Sequence, residues 1–181
     1  MNRRDVKIES LFSEETIAAR VAALGREVRD AGFGPDPVVI AVLKGGFVFA
    51  ADLIRSLHRA GLTPEVDFMS LSSYGAGTLS SGEIRVIRDT ETEVAGRQVL
   101  LVDDILESGR TLRYARDLLV SRGAARVAIA VCLDKKMHRK VEVEPDFLGF
   151  DCPDRFVVGY GMDMGHGFRE LPFIGYVTDA G

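Results

Sequence analysis

Tryptophan is absent from this 181-residue sequence, cysteine occurs only twice and histidine three times. No apolar run approaches the ~18 residues of a membrane-spanning helix, and "MNRRDVKIES" lacks the apolar core of a signal peptide. Cys132 and Cys152 form no C-x-x-C and lie in apolar or strand-like surroundings. They read as buried thiols in a reducing cytoplasm, not as a disulfide or zinc framework. His58, His138 and His166 have no metal-ligand spacing and receive no chemistry. Charge of one sign is also lacking: the net charge is -4 and the basic residues are scattered. The broad electropositive face that a phosphate backbone needs is missing, so neither nucleic acid nor membrane is an expected partner. G-x-x-x-x-G-K-[ST] and G-x-G-x-x-G are both absent, which removes the usual nucleoside triphosphate and dinucleotide cradles.

What is present is a chain 46% hydrophobic and 28% charged, enough for one compact domain over residues 1–181 with a real core. Ser13 is a candidate helix cap, followed by Glu14 and Glu15 and by apolar residues at Ile17, Val21, Leu24 and Val28, a helical spacing that ends near Ala31-Gly32. "PVVIAVLK" (37–44) is an apolar strand closed by Gly45-Gly46, and "FVFAADLIRSLHRAG" after it is helical to Gly61. "VDFMSLSSYG" is a further strand, followed by a turn-rich loop, "AGTLSSGE", read as mobile. Residues 99–102 form a buried strand, Arg110 to Ser121 a helix with Leu112, Ala115, Leu118 and Leu119 inward, and "RVAIAVCL" the next strand. Strands buried on both faces and joined through helices predict an α/β domain with a mostly parallel twisted sheet.

The stretch "VLLVDDILESGRTL" (99–112) ends its strand in carboxylates and runs at once into Ser-Gly-Arg-Thr. In open α/β sheets ligands sit beyond the carboxyl ends of the strands. Gly109 permits close backbone approach, Ser108 and Thr111 supply hydroxyls, and the opening N–H groups of the next helix attract an anion. A phosphate monoester fits there. Asp103, Asp104 and Glu107 would repel it unless they meet sugar hydroxyls or a divalent cation, and a phosphorylated ribose offers hydroxyls one sugar ring away from its phosphate. An ordinary acidic helix cap is the plain alternative for these acids.

This stretch resembles the phosphoribosyl-pyrophosphate (PRPP) signature of type I phosphoribosyltransferases. "LKGGFVFAADL" at 43, "SLSSYG" at 70, "LDKK" at 133, "PDFLGF" at 145, "PDRFVVGYGMD" at 153 and "FREL" at 168 are similar in order and spacing to the hypoxanthine-guanine phosphoribosyltransferase family, over about residues 37 to 177. The resemblance implies the type I fold with a small hood region, Mg2+ as cofactor, PRPP and a 6-oxopurine as substrates, and a homodimer or homotetramer. The implied reaction is displacement of pyrophosphate from C1 of PRPP by the purine, catalysed by positioning and electrostatics.

Carried over residue by residue, Glu107 to Thr111 (Glu107, Ser108, Gly109, Arg110, Thr111) hold the 5-phosphate, with Ile105 and Leu106 leading into the loop. Asp103 and Asp104 take ribose hydroxyls and magnesium, and Asp163 serves a second magnesium. Lys44 and Gly45 match the pyrophosphate loop, where the family has a cis peptide between the residues matching Leu43 and Lys44. Arg169 matches a pyrophosphate-binding arginine, and Ser73 and Tyr74 the loop that closes over the site. On the purine side Lys135 donates to O6, so adenine is rejected. Phe156 stacks on the base, the backbone at Val157 and Asp163 meets its edge, and Ile105 packs nearby. Without the resemblance, Lys44, Lys135 and Arg169 read as solvated charges, Tyr74 as a packed loop aromatic and Phe156 as core, with Lys136 a competitor for the role of Lys135.

One departure stands out: the family has aspartate where this chain has Glu107, the candidate acceptor of the N7 proton, so its reach and orientation differ by a methylene. Two other functions fit the same motifs. One is a xanthine- or guanine-preferring phosphoribosyltransferase, since Lys135 serves any 6-oxopurine. The other is a non-catalytic regulator that senses PRPP or a nucleotide, which predicts a basic face or an added DNA-binding segment.

Overall fold

Ser13, in extended backbone at φ -70° and ψ 162°, accepts a hydrogen bond from the Thr16 N–H at 3.3 Å and starts α1 (Glu14–Asp30) where the sequence places it. The computed structural model describes residues 6–73 and 84–178, so Tyr74 and the turn-rich stretch 76–83 lie outside the described residues. Ile17, Val21, Leu24 and Val28 form the buried stripe of α1. A β-carbon at Gly25 would stand 2.2 Å from Ser56 Oγ and 2.8 Å from the Ser56 carbonyl carbon, so this helix and α2 (Phe47–Arg59) meet nearly backbone to backbone. Ser56 Oγ, buried in that contact, donates to the Val21 carbonyl at 2.9 Å.

The main sheet contains β2 (Val38–Leu43), β3 (Glu65–Ser73), β4 (Ile84–Arg88), β5 (Gln98–Leu106), β6 (Arg126–Asp134) and β7 (Phe147–Asp151), in the order β4-β3-β2-β5-β6-β7. All neighbours are parallel except β3 and β4. Alternate residues of each strand face opposite sides. Val39, Ala41, Leu100 and Val102 pack with α1 and α2, whereas Val38, Ile40, Val99 and Leu101 pack with Leu112, Ala115 and Leu119 of α3 (Arg110–Ser121). Leu118, expected to point inward, is only partly buried against that cluster.

The chain leaves β2 through α2 toward β3 on one side, and leaves β5 through α3 toward β6 on the other. Strand order therefore reverses between β2 and β5, and a crevice opens at their carboxyl ends. The loop of Lys44 and Gly45 follows β2; Glu107 to Gly109 follow β5.

A second, antiparallel sheet in the order β1-β9-β8 combines β1 (Lys7–Phe12), β9 (Ile174–Thr178) and β8 (Val157–Val158), and pairs Lys7 with Thr178. This is the small hood. Phe12 stacks on Phe150 of β7 with ring centroids 4.2 Å apart, fixing the hood to the edge of the main sheet. No described helix is long and apolar enough to cross a membrane.

Candidate active site

The strand read from sequence as 99–102 continues to Leu106, because Asp103, Ile105 and Leu106 remain paired with Val131, Leu133 and Asp134 of β6. The two acids thus stand on the strand rather than after it. Asp103 is 7% exposed. Its Oδ1 accepts the Asp104 N–H at 2.9 Å, and Asp104 Oδ1 accepts the Ile105 N–H at 2.8 Å. Burial, and then the charge of Asp104, push the Asp103 carboxyl well above the usual carboxylate range. Burial also raises Asp104, against the hydrogen bonding of Asp103 and the nearby positive charge of Arg169. Two desolvated acids side by side are a donor set short of positive charge, which suits a hard cation and hydroxyl donors.

The backbone after β5 is held from outside. The Leu106 carbonyl accepts from the Lys135 N–H at 2.9 Å, the Glu107 carbonyl from Arg139 Nη1 at 2.8 Å, and the Ser108 carbonyl from the Lys140 and Val141 N–H groups at 2.9 and 3.3 Å. In a trans peptide the N–H points opposite to the C=O. Three successive carbonyls turned outward therefore turn the N–H groups of Glu107, Ser108 and Gly109 inward, the concave arrangement that binds anions. Gly109, at φ 80°, makes the left-handed turn into α3, and a β-carbon there would meet Val143 Cγ1 at 2.5 Å. Residues 103–109 with Thr111 and Leu112 line a cavity of about 240 Å³. A larger cleft of about 810 Å³ lies between α1, α2 and residues 169–172 and shares only Arg169 with the candidate site residues read from the sequence. The smaller cavity is the one lined by the two acids and the loop whose N–H groups turn inward.

The loop after β2 closes a second wall. The Leu43–Lys44 peptide is cis, Lys44 is exposed, and Gly45 lies directly against Asp104: a β-carbon at Gly45 would stand 1.6 Å from Asp104 Oδ2. The hood lays a turn on this loop. Gly161, at φ 100°, leaves no room for a β-carbon, which would stand 2.4 Å from the Gly45 carbonyl oxygen. Arg169 fixes the turn by donating to the Gly161 carbonyl at 2.5 Å and pairing with Asp163 Oδ1 at 2.6 Å, while Asp163 Oδ2 accepts the His166 N–H at 2.7 Å. Tyr160 ties the same turn to α2 through its hydroxyl, which donates to Asp52 Oδ2 at 2.7 Å.

Lys135 directly follows β6, with its side chain 9% exposed and its Nζ 3.7 Å from Glu107 Oε1. Lys136 instead points to solvent and pairs with Asp151 at 2.9 Å. Phe156 is 56% exposed, so it is no core aromatic, and it precedes the buried Val157. Ile105 is partly buried against the core on the α1–α2 side of the sheet. Arg110 is exposed at the start of α3 and Thr111 half-buried beside it. Ser73 ends β3, with Tyr74 next in the chain. Cys132 is buried and free, whereas Cys152, expected to be buried, is only half-buried.

Two residues of this site carried no sequence expectation. Asp134, with a fully buried side chain, pairs with Arg139 Nη2 at 2.5 Å, and Arg139 reaches on to the Glu107 carbonyl. An acid at the end of an apolar strand, the same signal that marks Asp103, would have found Asp134. No described group of three or more His, Cys, Asp or Glu residues forms a metal cage.

Fold and site together define an α/β protein with a glycine-containing strand-to-helix loop, a carboxylate pair and a buried lysine gathered near the switch point of its sheet. The chain belongs to the phosphoribosyl transferase domain family, which matches residues 7–164. It is 44% identical over 172 residues to a hypoxanthine-guanine phosphoribosyltransferase of Dictyostelium discoideum, covering 94% of this chain and 96% of that one. It is 46% identical over 165 residues, 91% of its length, to the bifunctional protein TilS/HprT of Listeria monocytogenes, of which it spans only 25%. The crystal structure of a hypoxanthine phosphoribosyltransferase from Staphylococcus aureus superposes with a TM-score of 0.89 at 38% identity, over 97% of this chain and 93% of that one.

Proposed function

We propose that the protein transfers the 5-phosphoribosyl group of PRPP to hypoxanthine, and to guanine, in purine salvage, releasing IMP or GMP and pyrophosphate. The observation that carries this reading is the placement of buried Lys135 3.7 Å from Glu107, the first residue of the phosphate cradle. A 6-oxo base and a ribose phosphate would thereby share one crevice.

In this reading the inward N–H groups of residues 107–109 and the hydroxyls of Ser108 and Thr111 bind the 5-phosphate, while Asp103 and Asp104 orient the ribose hydroxyls. N9 of the purine attacks C1 as the C1–pyrophosphate bond breaks, with Lys44, the Gly45 backbone and Arg169 on the leaving group. Lys135 has donors only, so it accepts a 6-oxo group and leaves a 6-amino group without a partner. Phe156 stacks on the base, Ile105 and the backbone at Val157 and Asp163 border it, and Glu107 takes the proton from N7. Ser73 and Tyr74 begin the segment that covers the reacting sugar. Asp103 and Asp104 fit Mg2+, which uses one or two carboxylates and completes its shell with water and substrate oxygens; Asp163 would serve a second ion. When bound, the metal supplies positive charge for the departing pyrophosphate.

The domain is read as one unit over residues 1–181, working in the cytoplasm as a homodimer or homotetramer. The test is nucleotide formation from hypoxanthine, guanine, xanthine and adenine with PRPP and magnesium. IMP and GMP should form, adenine should be refused, and chelation of magnesium should stop turnover. Robust turnover without a divalent metal, or none with hypoxanthine, would overturn the reading.

A further inference from the structure

We infer that Arg139, anchored by the buried carboxylate of Asp134, is a positioning residue for the phosphate cradle: by holding the Glu107 carbonyl it aims the Ser108 N–H at the sugar phosphate. The inference rests on the proposed phosphoribosyl-binding role of residues 107–111.

The geometry is unlike that of an ion pair built for stability. A guanidinium beside a carboxylate usually forms two parallel hydrogen bonds. Here Arg139 gives Asp134 Nη2 alone, at 2.5 Å, and gives Nη1 to the Glu107 carbonyl at 2.8 Å. Asp134 Oδ2 and Arg139 Nε are buried and unpartnered among the described residues. Two buried polar atoms thus go unsatisfied, while the loop carbonyl gains a charged donor. Of the three outward carbonyls, those of Leu106 and Ser108 are held by backbone N–H groups, and only that of Glu107 depends on a side chain. Arg139 Cδ also lies against Gly109, 3.2 Å from where a β-carbon would stand, so the same side chain packs beneath the turn it orients. Glu107 is the proposed proton acceptor, and fixing its carbonyl fixes the backbone from which that side chain extends.

The decisive comparison separates aim from stability. Arg139→Met should weaken ribose 5-phosphate binding at least tenfold by calorimetric titration, raise KM for PRPP more than KM for hypoxanthine, and lower Tm by stranding the Asp134 charge. In Asp134→Leu/Arg139→Met the stranded charge is gone, and apolar replacement of a buried ion pair is often neutral or better. Tm should then recover while ribose 5-phosphate binding stays weak. Arg139→Lys keeps the charge but loses the forked reach, so it should hold near-native Tm and still bind weakly. It decides the matter if the double variant does not fold. Affinity that returns together with Tm, or is unchanged in Arg139→Met, would overturn the inference. Wild-type protein that binds ribose 5-phosphate but forms no IMP would overturn the proposed activity instead and leave the role of Arg139 standing.

Discussion

Asp104 fills the space that any side chain at Gly45 would need, its Oδ2 standing 1.6 Å from where the β-carbon would be. The loop after β2 and the carboxylate pair are therefore one packed unit. Gly45→Ala must push either the loop or the acid aside. Since small misplacements at a reacting centre cost on the order of 100-fold, kcat/KM for PRPP should fall by about that factor with helix content unchanged. Steady-state kinetics and circular dichroism on the same sample check this.

Lys135 and Lys136 are adjacent in sequence and opposite in environment, one with its side chain 9% exposed beside Glu107 and the other 61% exposed and paired with Asp151. Lys135→Ala should raise KM for hypoxanthine and guanine more than KM for PRPP, with a loss of about 1.5–3 kcal/mol, the range for a hydrogen bond to a charged group. Lys136→Ala should leave both constants near wild type. The reverse pattern would move the base-reading role by one residue.

Glu107 combines a loop backbone with a side chain 49% exposed and facing Lys135. General-base groups contribute about 10²- to 10⁴-fold, and N7 can also lose its proton to water, so the low end applies. Glu107→Gln should lower kcat by roughly 10- to 100-fold with little change in PRPP affinity, and Glu107→Asp should remain active. Wild-type turnover in Glu107→Gln would leave the backbone as the working part of this residue.

Much of this architecture is legible before folding, because α1, β2, α2, α3 and β6 each carry a strong local signal: a capped 3.6-residue periodicity or an apolar run bounded by glycine. The hood strands were harder to read. β1, "KIESLF", mixes three apolar with three polar residues and buries none fully, and β8 is two residues long, so pairing with β9 rather than their own patterning makes these two strands. The length of β5 was hidden for the same reason, since only its pairing with β6 keeps Asp103 to Leu106 extended. At the candidate site, single motifs pointed to the carboxylates, residues 107–111 and Lys135. Asp134 carried the same local signal as Asp103 and was passed over, whereas Arg139 had none, because it acts by reaching to the Glu107 carbonyl, 32 residues back along the chain.

Asp67 provides a stability test away from the chemistry. It is 8% exposed, and its carboxylate accepts the N–H groups of Phe68, Glu91 and Thr92 at 2.7, 2.7 and 2.9 Å, tying the link before β5 to β3. Burial pushes its pKa up, yet these N–H donors more than offset it and leave the carboxyl below its ordinary range. A lowered folded pKa means stabilisation that is complete above the unfolded value of about 3.9 and lost as pH falls through the folded one. Asp67→Asn should lower Tm at pH 7 by about 2–4 °C, corresponding to ~1 kcal/mol in a domain of this size. Thermal scans from pH 7 to pH 3 should show the gap between wild type and variant closing below about pH 4.

The pairing of Lys7 with Thr178 has a consequence for the order in which the molecule becomes competent. The carboxylate pair, residues 107–109 and Lys135 come from one run, residues 98–135, whereas the strand of Val157 pairs with β9, which in turn pairs with β1 at the opposite end of the described chain. Closing so long a loop is entropically costly, and such distant contacts form late. On the proposed function, a folding chain would therefore assemble its sugar-phosphate residues before the surface that seats the flat base.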